Sequence, residues 1–299
     1  MKPFFLTILV AIISTTSALN AQVSLTYNLK VGDQFKVKQV ANQDILQDMN
    51  GQKHEMKNVL EGDFTFIVEE VNDSLYGIKF KFDRFKMVST SNLIGDIISV
   101  NTNDNVAEDD IEGKIFAQLV TVDLSMDMYK NGKIKSIEGS NELISKMVNA
   151  VGDLDEFTKE VMKESMKGEF SNESLSKSFE QMTYIYPSST VNIGDSWENN
   201  FEGDLSSKNT WTLDSYTDKD IFITGKSSVI FTNKDADVEM NLNGDMTSNL
   251  IITKETGFVK SMTTTSTVEG NSIMRKMNNI KVPTTITSNI TYKIEKHVQ

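Results

Sequence analysis

The chain reads as a mainly β (α+β) protein. The expectation is a large twisted antiparallel half-barrel sheet made of two similar halves, with a helical insert packed on its concave face. Three observations predict this: period-2 alternation in about a dozen segments, a pair of turns that occurs twice in the same order, and a change to helical periodicity between the two occurrences.

The alternation begins at Val23, Leu25, Tyr27 and Leu29, which share one face while polar residues take the other. It recurs at Phe64, Phe66 and Val68, at Ile78, Phe80 and Phe82, and along Val120, Val122, Leu124, Met126 and Met128. Further on, Trp211 to Leu213, Ile221 to Thr224, Val229 to Phe231 and Leu250 to Ile252 read as strands. The chain closes on Ile286, Ile290, Tyr292 and Ile294. Such alternation marks strands with one buried and one wet face. Asn50-Gly51, Asn72-Asp73, Asn131-Gly132, Asn243-Gly244-Asp245 and Thr256-Gly257 supply the turns between them.

The repeated turns are Val31-Gly32-Asp33-Gln34-Phe35 and Ile193-Gly194-Asp195-Ser196-Trp197. Each is an aliphatic residue, Gly-Asp, a polar residue and an aromatic. Glycine accepts positive φ, and aspartate bonds its own nearby backbone, so turn formation accounts for Asp33 and Asp195 without a catalytic role. Asn131-Gly132-Lys133-Ile134-Lys135-Ser136 is matched later by Thr256-Gly257-Phe258-Val259-Lys260-Ser261. Residues 22–139 are therefore read as the first sheet half and 183–299 as the second, within a single domain spanning 22–299.

Between them, residues 140–182 carry helical spacing. Leu143, Ile144, Met147, Val148 and Val151 form one apolar stripe. Asp153 and Glu156 have capping-box spacing ahead of Leu154, Phe157, Val161, Met162 and Met166. Leu175, Phe179 and Met182 follow Ser171. These one-sided faces require burial, and the concave face of the sheet is where they are expected to find it. Met147, Phe157, Val161, Met162 and Phe179 are the candidate ligand-contacting residues. Methionine adapts to irregular apolar partners, although core packing explains the same pattern.

Residues 1–21 have the form of a secretory signal peptide: Lys2, an apolar run from Phe4 to Ile13 too short to span a bilayer, and small residues leading to Ala21. Export to a periplasmic or extracellular location is the expectation. The chain has no cysteine, which excludes disulfides, thiolate metal sites, cysteine catalysis and lipidation at a cleavage-site cysteine. A net charge of −12 opposes nucleic acid and anionic membrane surfaces. No segment after the leader is long and apolar enough for stable membrane insertion.

Little points to catalysis. Of the two histidines, His54 lies in a polar stretch and His297 near the end of the chain. Neither is placed for a Ser-His-Asp triad or a metal. No phosphate loop, nucleophile elbow or dinucleotide fingerprint occurs, so no cofactor is implied. The many carboxylates read as solvated surface. The acidic stretch 101–110 has oxygen ligands of the kind calcium takes, without EF-hand spacing, and reads as a surface loop.

The order from Leu25-Thr26-Tyr27-Asn28-Leu29-Lys30-Val31-Gly32-Asp33, through a helical middle, to Tyr186-Pro187 and Val191-Asn192-Ile193-Gly194-Asp195-Ser196-Trp197 resembles an uncharacterised family of secreted bacterial proteins. The resemblance transfers no catalytic residues. A long sheet cupping inserted helices also looks, at fold level, like the periplasmic lipoprotein-carrier half-barrel, which implies an apolar cavity for acyl chains. The functional expectation is a non-enzymatic exported protein that binds a lipid, acyl chain or other hydrophobic molecule. The alternative is a structural or envelope-interaction protein without a ligand cavity.

If the leader is a signal peptide, the exported protein starts at or near Gln22 and is extracted without detergent. N-terminal sequencing of the exported form checks this, and an intact Met1 overturns it.

Overall fold

The computed structural model describes residues 22–234 and 237–297; the proposed leader lies outside them. Twelve strands of the described residues form one antiparallel sheet. In chain order, β1 (Gln34–Met49), β2 (Gln52–Val71), β3 (Leu75–Ser91), β4 (Gly95–Asn101), β5 (Asp123–Tyr129) and β6 (Ile134–Glu138) form the first half. β7 (Ser196–Phe201), β8 (Leu205–Tyr216), β9 (Asp220–Lys234), β10 (Val238–Thr253), β11 (Val259–Met274) and β12 (Ile280–His297) form the second. Across the sheet the order is β6-β5-β3-β2-β1-β12-β11-β10-β9-β8-β7, with β4 beside β3. Each half is a meander. The halves join where β1 pairs with β12, Val37 opposite Ile294 and Gln39 opposite Tyr292.

The sheet stays open, with β6 and β7 as its edges. An open edge presents unpaired backbone groups and has to be covered. The insert between the halves does this. It consists of α2 (Ser140–Asn149), α3 (Glu156–Phe170) and α4 (Asn172–Thr183), preceded in the chain by a short α1 (Ile111–Ala117). Helix α4 touches both β6 and β7, and the Glu180 carboxylate accepts from the Ile134 backbone N–H of β6 at 2.9 Å. One helix thus bridges the two edges of the same sheet.

The insert begins and ends as its residues dictate. Asp155 caps α3 by accepting from Thr158 N–H, and Ser171 caps α4 by accepting from Ser174 N–H. Helix α2 buries Leu143, Ile144, Met147 and Val148. By contrast α3 buries none of its residues, because it packs on α2 and α4 rather than on the sheet. The expectation that every helical stripe meets the concave face therefore holds for α4; α2 buries Leu143 and Met147 in the common core while contacting α1 and α3, and α3 buries none of its stripe.

The repeated turns are built alike. Gly32 and Gly194 both sit at φ +90°. Asp33 Oδ2 accepts from Lys30 N–H at 3.0 Å and Asp195 Oδ2 from Asn192 N–H at 2.8 Å. Gly32 N–H donates to Val68 O and Gly194 N–H to Leu213 O, each at 2.8 Å, starting the first hairpin of each half. The second pair makes crosswise contacts. A Cβ on Gly132 would collide with the carbonyl of Thr183, and one on Gly257 with that of Thr26. Each half's later turn is thus pressed against the other half's lead-in. Tyr27 O–H donates to Thr183 O at 2.8 Å, Tyr186 O–H donates to Gly257 O, and the two tyrosine rings lie 5.0 Å apart.

Several local readings change. Leu25, Tyr27 and Leu29 are buried as their alternation requires, but the segment is an extended strap and not a sheet strand. Its backbone bonds go to turns, as in Asn28 N–H to Thr256 O at 2.8 Å, and to Val191 through one isolated bridge. Asn243-Gly244-Asp245 lies inside β10 and makes no turn; Gly244 is there because a side chain would strike the Thr267 carbonyl of β11. Val120 falls in a 3-10 turn (Gln118–Thr121) ahead of β5. The acidic segment 101–110 is turn and loop after Asn101 ends β4, and its last residue caps α1, Asp110 Oδ1 accepting from Gly113 N–H at 2.7 Å.

Gly257→Ala is expected to cost about 2–4 kcal/mol, since it combines a positive φ with a backbone clash. Gly32→Ala meets open space and is expected to cost about 1–2 kcal/mol for its φ alone. Thermal unfolding of the two variants checks the order; equal losses would remove the strap contact from the argument.

Candidate functional site

Alternation places one set of side chains on the inner, helix-covered face of the sheet. On β12 these are Val282, Thr284, Ile286, Ser288, Ile290, Tyr292 and Ile294. Where α4 crosses this face, Phe179 is the wedge. Its ring stands edge-on to Phe80 at 4.9 Å, Phe66 at 5.7 Å and Phe64 at 6.1 Å between centroids. Edge-to-face rings at these separations are favourable beyond the area they bury. Phe35 and Phe258 stack at 4.3 Å and continue the cluster toward the straps.

Two apolar clefts remain beside this wedge. One, of about 190 Å³, lies between α4 and the first half and is lined by Val37, Leu60, Phe64, Phe85, Phe170 and Phe179 among others. The other, of about 150 Å³, lies over the second half, with Phe201, Trp211, Phe231, Met246, Met262 and Ile290 in its wall. Tyr292 lines both. It stands on the β1–β12 seam opposite Gln39. Burial pushes its phenol up to about 12, so the group stays a neutral donor. Its hydroxyl has no hydrogen-bond partner among the described residues.

Beyond the clefts the inner face becomes polar but stays organised. His54 Nε2 is 2.9 Å from Ser91 Oγ, and its Nδ1 is 3.1 Å from Gln47 Oε1. Gln47 Nε2 donates to Ser272 Oγ at 3.3 Å, and Ser272 lies 2.8 Å from Thr284 Oγ1. Ser91, Gln47, Ser272 and Thr284 are buried. A serine, a histidine and an amide thus share a line, yet Ser91 Oγ also accepts from Leu93 N–H at 3.1 Å, and neither cleft is lined by any of them. This chain satisfies buried polar groups across neighbouring strands.

The five candidate residues separate. Phe179 lines the first-half cleft. Met147 is 1% exposed within the packed core. Met162 is half-buried on α3 and lines neither cleft. Phe157 and Val161 are 78% and 54% exposed, so they sit in solvent away from both clefts. The reason is again that α3 lies on other helices. Sequence reasoning missed Tyr292, Gln39 and Trp211. The first two stand in alternating strands whose inward parity was legible, but their meeting depends on which strand pairs with β1. Among the described residues no group of three or more metal-ligating side chains comes together, and no helix is long and apolar enough to cross a membrane.

The chain belongs to a family of unknown function, DUF6263, whose model matches residues 73–259. No curated protein matches it. Among solved structures, an outer membrane channel from Pseudomonas putida F1 is similar at 7% identity and a TM-score of 0.25, over 90% of this chain and 97% of that one. Ail, the attachment invasion locus protein of Yersinia pestis, is similar at 6% identity and a TM-score of 0.10, over 88% and 99%. A domain assigned as an outer membrane lipoprotein-sorting protein from Vibrio parahaemolyticus gives 10% identity and a TM-score of 0.13, over 87% and 86%. Superpositions this loose carry no argument, and the reading of the site rests on its own geometry.

Phe179→Ala is expected to cost about 3–5 kcal/mol, because it removes the wedge from a closed aromatic cluster. Phe157→Ala is expected to stay within about 0.5 kcal/mol. Chemical denaturation of both variants checks the contrast. A large loss at Phe157 would contradict the placement of α3.

Proposed function

We propose that this protein is an exported, non-enzymatic binding protein for a hydrophobic small molecule, such as a lipid or acyl chain, held between α4 and the inner face of the sheet. The supporting observation is the pair of apolar clefts that meet at Tyr292. Together they reach the lower end of the range typical of ligand pockets, about 300–1,000 Å³. They lie where a helix covers a curled sheet, and they combine aromatic walls with a few neutral polar groups, the usual make-up of a small-molecule site. Catalysis is not part of the proposal because the lining residues carry no carboxylate or histidine to serve as acid or base. Export rests on the leader-like residues 1–21.

A second reading, a structural or envelope-interaction protein without a ligand site, is favoured by the density of the core under α2. There Leu143, Met147, Met128 and Leu124 are all at most 2% exposed.

A neutral fluorescent polyene such as diphenylhexatriene separates the two readings. The binding reading expects saturable binding to the wild-type protein. It also expects at least a tenfold loss in Ser288→Trp, which fills the second-half cleft at the seam, with a stability change of at most about 1–3 kcal/mol. A folded wild-type protein that binds no such probe leaves the structural reading.

A further inference from the structure

The inner face is unusual for what it lacks. The chain carries 30 Lys and Arg and 42 Asp and Glu. Yet apart from Lys296, at the strap end of β12 and ion-paired with Asp33, none of these occupies an inward position along the paired stretches of β1, β10, β11 and β12; on β1 the inward residues run Gln39, Ala41, Gln43, Ile45 and Gln47. The lining of both clefts is likewise free of charged side chains. Lysines and acids of the same strands point outward, as Lys36 and Lys38 do. Instead of charge the seam carries carboxamides and hydroxyls. Of these, Tyr292, Gln39, Gln181, Ser266 and Ser288 have side chains without hydrogen-bond partners among the described residues. They gather at the clefts, whereas His54, Gln47, Ser272 and Thr284 farther along the face bond one another.

From this arrangement we infer that the clefts select an uncharged amphiphile: a single aliphatic chain along the apolar walls, with a hydroxyl or ester head hydrogen-bonded at Tyr292 and the neighbouring seam amides. The inference rests on the binding reading above and adds the charge class of the ligand. An ionised carboxylate or phosphate at this position would give up its water without gaining a cation, whereas a neutral head exchanges water for waiting donors and acceptors. The neutral polar seam thus excludes free fatty acids and phospholipids while admitting monoacylglycerol-like or alcohol-bearing chains.

Displacement of bound diphenylhexatriene by monoolein and by oleate at pH 8, each below its aggregation concentration, tests this on the full mature chain. Monoolein is expected to displace the probe at a concentration at least tenfold lower than oleate. Tyr292→Phe is expected to weaken monoolein about 2- to 10-fold relative to the polyene, in line with one hydrogen bond. Ser288→Lys places a cation at the seam and is expected to improve oleate relative to monoolein. Oleate equal to or tighter than monoolein on the wild-type protein overturns the inference, as does probe binding that neither lipid displaces. Absence of probe binding altogether sinks the binding reading itself.

Discussion

The structure depends on α4 having to occupy the gap between two edges of one open sheet. Strands β6 and β7 stand at opposite ends of the strand order, yet both touch this helix. An antiparallel sheet of this length does not end comfortably in water, because its last strands offer unpaired N–H and C=O groups. Here the chain leaving β6 returns as β7 through the insert, so the covering element is tethered to both edges it covers. The aromatic wedge, the clefts and the exposure of α3 follow from that placement. A helix seated across the inner face leaves a cleft on either side of itself.

The two tyrosine straps hold the same end of the molecule together. Tyr27 and Tyr186 are buried against each other, and burial raises both phenols well above their ordinary value. The Tyr27 hydroxyl is anchored to the Thr183 carbonyl of the other half, and the Tyr186 hydroxyl to the Gly257 carbonyl at the turn that presses on the first strap. The halves are therefore joined twice, by backbone pairing of β1 with β12 and by this crosswise lock. The lock works only because Gly132 and Gly257 lack side chains where the straps pass.

The seam between the halves also sets the chemistry of the inner face. Gln39 and Tyr292 come from strands far apart in the chain and meet as direct neighbours. Side chains without partners at that line face the clefts, whereas His54, Gln47, Ser272 and Thr284 farther along satisfy one another. A neutral polar stripe inside an acidic protein is a consequence of strand parity: charge was placed on the outward positions, where water solvates it.

Local chemistry was decisive for much of this in the amino-acid sequence alone. Alternation identified strands, Gly32-Asp33 and Gly194-Asp195 identified equivalent turns, and 3.6-residue spacing with Ser171 identified the insert. All of these are short-range signals carried by residues a few positions apart. What it did not determine is which apolar stripe reaches the sheet. Phe157 and Phe179 have the same helical credentials, yet one is in solvent and the other sits against three phenylalanines. Nor did alternation alone show that the strap from Leu25 to Leu29 would spend its hydrogen bonds on turns, or that Gly244 would mark a close strand approach instead of a bend. Those outcomes depend on partners tens to hundreds of residues away, and only the tertiary structure brings those partners together. Periodicity specifies that a face must be buried; the placement of α4 between the edges of the open sheet decided what buries it.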